Sequence, residues 1–498
     1  MNRCATLALL AASMGCAEGS SVVDRPDFEP PQATWREVCG TEGPHRILGL
    51  APGEHAYRIV RIEGEDRVLV STFVVDPTIP LSEFPPTLEL VTQAVGLCGE
   101  DPVEVARGLE LPSRIDDRHW VGCADGGHGA SLIDVTGQQP PRPLLDGWCP
   151  LRSTDHGVVT VSSAADERYG TLVIARDLDD PAAVPQVLAH DVRVPRNAFF
   201  GPGHSSTTSL WTSADEALAL DNLGNVVHVD LATGQSTIQL EGVREFRVSS
   251  DGRYMVWQAL DPAEGEPETP VSPVFLLDRE TQTQDHLLNT HLEWSGGVFA
   301  GDYVVVRDDV EGLQLFVRET AQSISLPPGT EFRGLLDATQ MWLVERGFET
   351  TQELRWSPGD SEPVAFATHQ PGSVSRRGEG FELFVEDLPP QMAGPGEGRL
   401  EWMGFDGGDP IIVAHRAHRN RGHVADERLI TTIGTDSTGH GPLWLIGPDP
   451  DDVVVLDALA FEQSPRLNSG DPLDGDIAFA VADPGGDRRG VYRGRVSP

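Results

Sequence analysis

The stretch Phe246-Arg247-Val248-Ser249-Ser250-Asp251-Gly252-Arg253-Tyr254-Met255-Val256-Trp257 decides the fold of this chain. Two runs of β-forming residues flank an Asp-Gly pair, a pattern typical of a β-hairpin turn. After a loop rich in Pro and Glu come two more short β-rich runs, 274–278 and 285–288, separated by a polar turn. Residues 246–288 therefore predict strands in meander order, folded into one compact antiparallel sheet of four strands.

The third strand of this unit, with the turn after it, recurs along the chain. Similar segments lie at 131–137, 172–177, 227–234 and 315–320. Their anchor residues, Asp134, Asp177, Asp230, Asp278 and Arg318, follow one another at intervals of about 40 to 53 residues, as the blades of a propeller do. The second strand recurs at 157–161, 302–306 and 340–344, and segments 410–413 and 441–446 continue the series. The predicted fold class is all-β: a β-propeller of four-stranded antiparallel blades.

The hairpin Ser250-Asp251-Gly252-Arg253-Tyr254 and its blade resemble the bacterial periplasmic propellers typified by TolB and the propeller domains of prolyl oligopeptidases. This resemblance implies a fold and no particular function. The predicted propeller, residues 35–498, is assigned eight blades, with seven as the alternative. Two or three β-sandwiches in series are the competing architecture, and the single repeat length argues against them.

The two ends of the predicted ring are expected to meet in one blade. Strands near 477–481 and 491–496 are predicted to share a sheet with strands from 68–75. Such a closure hides both edges of the sheet that would otherwise be open.

The first residues are typical of an export signal. Arg3 precedes a short apolar run that ends in Ser13-Met14-Gly15-Cys16, and the run is too short to span a bilayer. It resembles a bacterial lipoprotein leader, so residues 1–15 are predicted to be a signal peptide and Cys16 the lipidated residue. Residues 16–34 are predicted to form a flexible, lipid-anchored tether. The alternative is ordinary cleavage nearby, which leaves a soluble secreted protein.

Four cysteines lie within the predicted propeller: Cys39, Cys98, Cys123 and Cys149. An even number suits disulfides in an oxidising compartment. Four cysteines permit three pairings, and the favoured one is Cys39–Cys98 with Cys123–Cys149. A zinc site is disfavoured because none of the four lies in a C-x-x-C pair.

The composition excludes several kinds of chemistry. The chain has no lysine, and its 37 basic residues are arginines, against 77 acidic residues and a formal net charge of −40. A P-loop lysine and a Schiff base are therefore excluded. So negative a protein repels nucleic acids and anionic membrane surfaces. The expected membrane contact is through the lipid anchor only.

One segment is densely cationic in this acidic chain. It contains the candidate metal ligands His415, His418 and His423 and the candidate anion or partner contacts Arg416, Arg419 and Arg421. Imidazoles suit transition metals, whereas arginines suit carboxylates and phosphates. The alternative is a surface loop that binds neither a metal nor an anion. Two acidic stretches, 449–452 and 471–476, could hold calcium, although neither follows the EF-hand pattern.

No segment carries a catalytic signature such as H-E-x-x-H or G-x-G-x-x-G. The predicted function is therefore non-enzymatic: a cell-envelope lipoprotein, in the periplasm or at the outer membrane, whose propeller loops bind an envelope protein or a small ligand. No cofactor is required by this prediction. The alternative is a hydrolase or lyase with its site in the central funnel.

Overall fold

The fold is taken from a computed structural model. It describes residues 29–62, 66–74, 90–124, 128–148, 152–163, 168–180, 182–194, 209–260, 272–290, 298–308, 312–337, 339–347, 351–369, 372–377, 380–385, 397–404, 410–418, 422–424, 428–434, 440–461, 466–467, 476–481 and 487–496. Within these ranges the regular structure is entirely β. None of these ranges contains a helix that is long and apolar enough to cross a membrane.

The strands are numbered in chain order, and the blades are numbered from the first complete one. The N-terminal strands are β1 (Trp35–Val38), β2 (Thr41–Glu42) and β3 (His45–Gly49). Blade 1 contains β4 (Glu54–Ile62), β5 (Arg67–Val74), β6 (Val91–Gly96) and β7 (Val103–Arg107). Blade 2 contains β8 (Leu109–Arg114), β9 (His119–Ala124), β10 (His128–Asp134) and β11 (Arg142–Trp148). Blade 3 contains β12 (Arg152–Thr154), β13 (Gly157–Ser162), β14 (Tyr169–Ala175) and β15 (Gln186–Arg193).

The middle blades follow the same plan. Blade 4 contains β16 (Leu210–Thr212), β17 (Glu216–Leu220), β18 (Val226–Asp230) and β19 (Ser236–Leu240). Blade 5 contains β20 (Val243–Val248), β21 (Tyr254–Ala259), β22 (Ser272–Asp278) and β23 (Thr283–Thr290). Blade 6 contains β24 (Val298–Ala300), β25 (Tyr303–Asp308), β26 (Gly312–Val317) and β27 (Ser323–Ser325).

The last blades complete the set. Blade 7 contains β28 (Thr330–Leu335), β29 (Met341–Arg346), β30 (Thr351–Trp356) and β31 (Val364–His369). Blade 8 contains β32 (Gly372–Arg377), β33 (Gly380–Val385), β34 (Glu397–Gly404) and β35 (Ile411–His418). Blade 9 contains β36 (Gly422–Val424), β37 (Arg428–Thr432), β38 (His440–Ile446) and β39 (Val453–Phe461). The C-terminal strands are β40 (Arg466–Leu467), β41 (Asp476–Val481) and β42 (Gly490–Val496).

The unit predicted over residues 246–288 is confirmed as blade 5. Its strands hydrogen-bond in the order β20-β21-β22-β23, all antiparallel. Gly252 has a φ of +73°, a left-handed conformation that favours glycine. The Ser249 hydroxyl accepts a hydrogen bond from the Tyr254 amide at 2.9 Å and so fixes the turn. The predicted second and third strands of blades 2 to 7 also lie where the repeat placed them.

The described residues form ten blades, so the predictions of eight and of seven are both wrong. Two blades, 4 and 6, are much shorter than the repeat length that the sequence suggests, since they span only residues 210–240 and 298–325. The late segments 410–413 and 441–446 belong to different positions, the fourth strand of blade 8 and the third strand of blade 9. The anchors from Asp134 to Arg318 lie on average 46 residues apart, and at this spacing residues 35–498 hold ten blades, so the prediction of eight assumed too long a repeat.

The blades close into a ring. Ten clusters of buried apolar side chains lie between neighbouring blades, one at each seam, and the last of them joins blade 10 to blade 1. Because a large aliphatic or aromatic side chain contributes about 1.5–3 kcal/mol when fully buried, these seams supply most of the stabilisation. Phe246 and Phe381 are examples with essentially no exposed surface.

The first strand of each blade lies nearest the centre of the ring. β40 pairs in parallel with β4 of blade 1 and also contacts β36 of blade 9. These two first strands belong to blades on either side of blade 10, and they come this close only near the axis. The fourth strands consequently form the outer rim.

The ring closes with different N-terminal strands from those predicted. Blade 10 is built from β41 and β42 of the C-terminus, and β42 pairs with β3 and with β1. The predicted partner, residues 68–75, corresponds to β5, which pairs with β4 and β6 inside blade 1. The expectation that the two ends share a sheet holds, but residues 35–49 supply the N-terminal part.

The end of the predicted tether contacts the ring. Gln32 forms a parallel bridge with Val455 of β39, and the Ala33 amide donates to the Val455 carbonyl at 2.9 Å. Cys16 and the signal peptide lie outside the described residues, so their roles stay predictions.

A disulfide joins the two blades at the closing seam. Cys39 follows β1 in blade 10 and Cys98 follows β6 in blade 1, with a Cα–Cα distance of 5.4 Å. This confirms the predicted pair Cys39–Cys98. His45 Nε2 donates to the Cys98 carbonyl at 3.0 Å and adds a polar contact across the same seam. Cys123 is also disulfide-bonded, and its predicted pairing with Cys149 stays a prediction because Cys149 lies outside the described residues.

We expect the double substitution Cys39→Ser/Cys98→Ser to lower the free energy of unfolding by about 4 kcal/mol, the loop-entropy value for a separation of 59 residues. The seam then relies on apolar contacts alone. Denaturant unfolding of the oxidised wild type and of the variant measures the difference. An unchanged midpoint would show that the disulfide does not hold the ring closed.

Candidate functional site

Arginines are concentrated on the first strands of the nine complete blades. These strands carry nine arginines and four carboxylates, although acidic residues outnumber basic ones by 77 to 37 in the whole chain. The fourth strands of the same blades carry four arginines and five carboxylates. The arginines of the first strands are Arg58, Arg61, Arg114, Arg152, Arg244, Arg247, Arg333, Arg376 and Arg377.

Counted along the sequence, the first strands therefore carry a net positive charge, opposite in sign to the net charge of the whole protein. Arginine keeps its charge under all ordinary conditions and presents a planar set of N–H donors that matches an oxyanion. It is a poor proton donor or acceptor for the same reason. A first-strand surface rich in arginine therefore suits the binding of anions better than acid–base catalysis.

Blade 7 holds the best-defined group at this inner edge. Arg333 on β28 lies over the indole ring of Trp342 on β29, with its Cζ 5.8 Å from the ring centroid. Its NH2 nitrogen is 3.9 Å from Oε1 of Glu353 on β30, whose side chain is completely buried. Trp342 Nε1 donates a hydrogen bond of 2.6 Å to the other oxygen of Glu353. Three neighbouring strands of one blade thus converge on a single guanidinium group.

Other first-strand arginines have different surroundings. Burial lowers the pKa of Arg247, and the nearby carboxylate of Glu245 partly offsets this. Arg114 forms an ion pair with Asp117, and its Nε donates to the Asp116 carbonyl at 3.3 Å. The arginines of the inner edge therefore differ in how far neighbouring groups already satisfy them.

The cationic segment of the sequence connects the outer strand of blade 8 to the inner strand of blade 9. It begins on β35, ends on β36 and so crosses from the rim towards the axis. Arg416 on β35 donates from Nε and NH2 to the same oxygen of Glu397, at 2.9 and 2.8 Å. Glu397 has no exposed side-chain surface, so Arg416 neutralises a buried carboxylate of its own blade. Arg419 and Arg421 lie outside the described residues.

The three candidate metal ligands do not share one environment. His415 is exposed on β35, whereas His418, three positions later, is buried, as expected for opposite faces of a strand. His423 lies on β36, and its side chain is outside the described part. Over the described ranges no group of three or more His, Cys, Asp and Glu side chains is placed to hold a metal ion. A transition-metal site here stays a prediction, and elemental analysis of the purified protein tests it.

The first acidic stretch proposed for calcium folds as a turn before β39. Asp449 Oδ1 accepts the Asp451 amide at 2.9 Å, and the Asp449 carbonyl accepts the Asp452 amide at 3.0 Å. Turn formation accounts for these contacts of Asp449. The second stretch, 471–476, lies outside the described residues except for Asp476. Calcium binding stays a prediction.

Sequence reasoning missed a series of ion pairs between blades. Arg279 of blade 5 forms a bidentate ion pair with Glu216 of blade 4, with N–O distances of 3.0 and 2.7 Å. Arg318 of blade 6 reaches Asp251 of blade 5 at 3.2 Å. These arginines follow the third strands, at the same place in each repeat, and that shared position was the available signal. The contacts tie the seams together on the side of the hairpin turns.

Comparisons with known proteins identify a fold and no family. No protein-family model matches the chain, and no curated protein is similar to it in sequence. An oligogalacturonate lyase in complex with manganese has a TM-score of 0.32 at 10% identity, over 91% of this chain and 98% of that chain. TolB from Acinetobacter baumannii has a TM-score of 0.21 at 14% identity, over 67% and 77%. The β-propeller domain of the trilobed protease from Pyrococcus furiosus has 0.28 at 14%, over 57% and 94%.

These similarities concern the β-propeller fold alone. With TM-scores of 0.21 to 0.32, they carry no conclusion about the function of this chain.

We expect Asp278→Asn to reduce stability at neutral pH and to have progressively less effect as the pH falls. A hydrogen bond from Arg253, at 2.8 Å, lowers the pKa of Asp278 from 3.8 to about 2. The pKa of this carboxyl is lower in the folded state than in the unfolded state, so the ionised group stabilises the fold at pH values above its unfolded pKa. This contribution disappears as the pH falls from about 4 to about 2. Thermal midpoints of wild type and variant across this range measure the effect.

Glu280→Gln is the matched control, because it removes the same charge from a more exposed neighbour of Arg253. If Asp278→Asn and Glu280→Gln behave alike over the whole pH range, the Arg253–Asp278 contact has no special role in the blade.

Proposed function

We propose that the protein is an exported, non-enzymatic binding propeller of the bacterial cell envelope. The arginine-bearing first strands bind an anionic group in the central channel, presented by a small ligand or by a partner protein of the envelope. The observation that supports this most directly is the reversal of charge between the inner edge of the ring and the chain as a whole.

The charge of the whole protein limits what enters the channel. A net charge of −40 repels long polyanions such as nucleic acids. At physiological ionic strength the Debye length is about 8 Å, so an anion within the channel experiences mainly the nearest arginines. A short or single anionic group is favoured over an extended polyanion.

The cell envelope is the proposed location for two reasons. The Cys39–Cys98 disulfide suits an oxidising compartment, and the sequence begins with a segment that resembles a lipoprotein leader. We propose that Cys16 carries the lipid and that the ring contacts the membrane through this anchor only. Mass spectrometry of the protein purified from its membrane fraction tests this, since an unmodified Cys16 would exclude the anchor.

The binding proposal is tested by fluorescence anisotropy near physiological salt, with a fluorescein-labelled oligoglutamate peptide only a few residues long as the anionic probe, so that it is a short anion and not an extended polyanion. We expect wild type to bind, and the triple variant Arg58→Gln/Arg244→Gln/Arg333→Gln to bind at least about tenfold more weakly, because each lost charge-assisted contact costs about 1.5–3 kcal/mol. A labelled oligoglutamine peptide measures binding that does not depend on charge.

The matched control removes three arginines from outer strands: Arg36→Gln/Arg107→Gln/Arg142→Gln. It changes the net charge equally, but the substituted residues lie on β1, β7 and β11 at the rim. Equal losses in both triple variants would mean that only total charge matters. Absence of binding by a folded wild type would overturn the proposal.

A hydrolase or lyase reaction in the funnel is the second candidate function. Buried carboxylates concentrated in blades 7 and 8 favour it: Glu353, Glu382, Glu397 and Glu401 are each at most 4% exposed. Paired carboxylates are the usual machinery of glycoside cleavage. Incubation with acidic and neutral oligosaccharides and with peptides, followed by mass spectrometry of the products, tests it. Cleavage abolished by Glu353→Gln or Glu401→Gln would favour the enzyme.

A further inference from the structure

We propose that Arg333 is the principal anion contact of the channel, that Trp342 and Glu353 are its positioning residues, and that the group it binds is a carboxylate. This inference rests on the proposed function, because it assigns one residue and one ligand chemistry to the same inner edge.

The guanidinium of Arg333 is held in place from two sides. The indole of Trp342 lies beneath it, within the range of a cation–π contact. Trp342 itself is fixed, since only 8% of it is exposed and its ring packs on Phe381 of blade 8 with centroids 4.8 Å apart. Glu353 attracts the guanidinium electrostatically and at the same time accepts the indole N–H. A side chain that is oriented before binding loses less entropy when the ligand arrives.

The hydrogen-bonding capacity of Arg333 is not used by these contacts. The distance of 3.9 Å to Glu353 is an electrostatic attraction and is too long for a hydrogen bond. Across the described parts of the chain, no group accepts a hydrogen bond from Arg333. Its side chain is 27% exposed, so solvent or a ligand can reach it. A guanidinium has five N–H donors, and a partner oxyanion would satisfy them in pairs.

Two other first-strand arginines whose contacts the structure describes lack this combination. Arg114 is already paired with Asp117, and Arg247 is buried enough for its pKa to be lowered. Arg333 combines partial exposure, an aromatic support and a buried counter-charge that does not consume its donors.

Charge balance favours a carboxylate over a phosphate. The Arg333–Glu353 pair is neutral overall, so a bound carboxylate leaves the site with one negative charge and a phosphate dianion leaves it with two. Within the Arg333–Glu353 pair there is no second positive charge to compensate the second charge of the dianion. The planar fork of a guanidinium also matches the planar carboxylate group.

The test compares Arg333→Lys and Arg333→Gln with wild type, using the oligoglutamate peptide and fluorescence anisotropy. Arg333→Lys keeps the positive charge but loses the paired N–H donors of the guanidinium and its planar contact with the Trp342 indole. We therefore expect about tenfold weaker binding. Arg333→Gln is expected to bind at least as weakly as Arg333→Lys and to show a smaller salt dependence. Arg107→Lys on outer strand β7 is the matched control and should bind as wild type does.

The positioning role has its own readout. Trp342→Phe keeps an aromatic face but removes the N–H that anchors Glu353, so we expect a loss of a few-fold in affinity. Trp342→Leu removes the stacking face and should lose more. Thermal unfolding of Arg333→Lys should match wild type, because Arg333 makes no hydrogen bond to the described residues. This separates lost binding from lost folding.

The outcomes distinguish the two proposals. If wild type does not bind the peptide, the proposed function is wrong. If wild type binds and Arg333→Lys and Arg333→Gln bind equally well, the proposed function stands and the assignment to Arg333 is wrong. Tighter binding of a peptide in which phosphoserines replace the glutamates would overturn the carboxylate assignment.

Discussion

The whole structure depends on apolar contact between the faces of adjacent blades. Each sheet is apolar on both faces, so a blade is stable only when it has a neighbour on either side. A ring satisfies this requirement for every blade, and an open row leaves two faces in water. The contact between blades 10 and 1 is therefore the one on which the others depend. It is also where distant parts of the chain meet, and where the chain carries a disulfide and several polar contacts across the seam.

This arrangement restricts where function can lie. Side chains on the faces of the sheets are committed to the seams, so ligands are left with the inner strands and the connections between strands. Charged residues placed in the seams need partners there, as Glu397 has in Arg416. Arg333 links the seam to the inner strands. Trp342, on which its guanidinium lies, packs in the seam between blades 7 and 8, while Arg333 itself is on an inner strand.

The sequence predicted the blade but not the ring. The Asp-Gly turn and the alternating runs of residues 246–257 were enough to predict blade 5, because local turn chemistry and strand propensity act together there. The wrong number of blades came from assuming too long a repeat, since the anchor residues of blades 2 to 6 are spaced closely enough for ten. The N-terminal strand that closes the ring was misassigned because 68–75 and 45–49 are both short segments with apolar residues. Pairing between residues so far apart in the sequence leaves no local pattern.

The Cys39–Cys98 pair was predictable since cysteines are few. The group around Arg333 was not, because its members lie on three different strands and only the fold brings them together.

The contrast in charge between the inner strands and the whole chain links fold to function. In the proposed function, the acidic surface repels large polyanions, while arginines on the inner strands attract small anions. The acidic residues are numerous enough that the inner arginines are not a reflection of overall composition. Two of these arginines already have a carboxylate nearby, Glu353 beside Arg333 and Glu245 beside Arg247. Because Glu353 attracts Arg333 without accepting its hydrogen bonds, the donors of Arg333 remain for the anionic ligand that we propose.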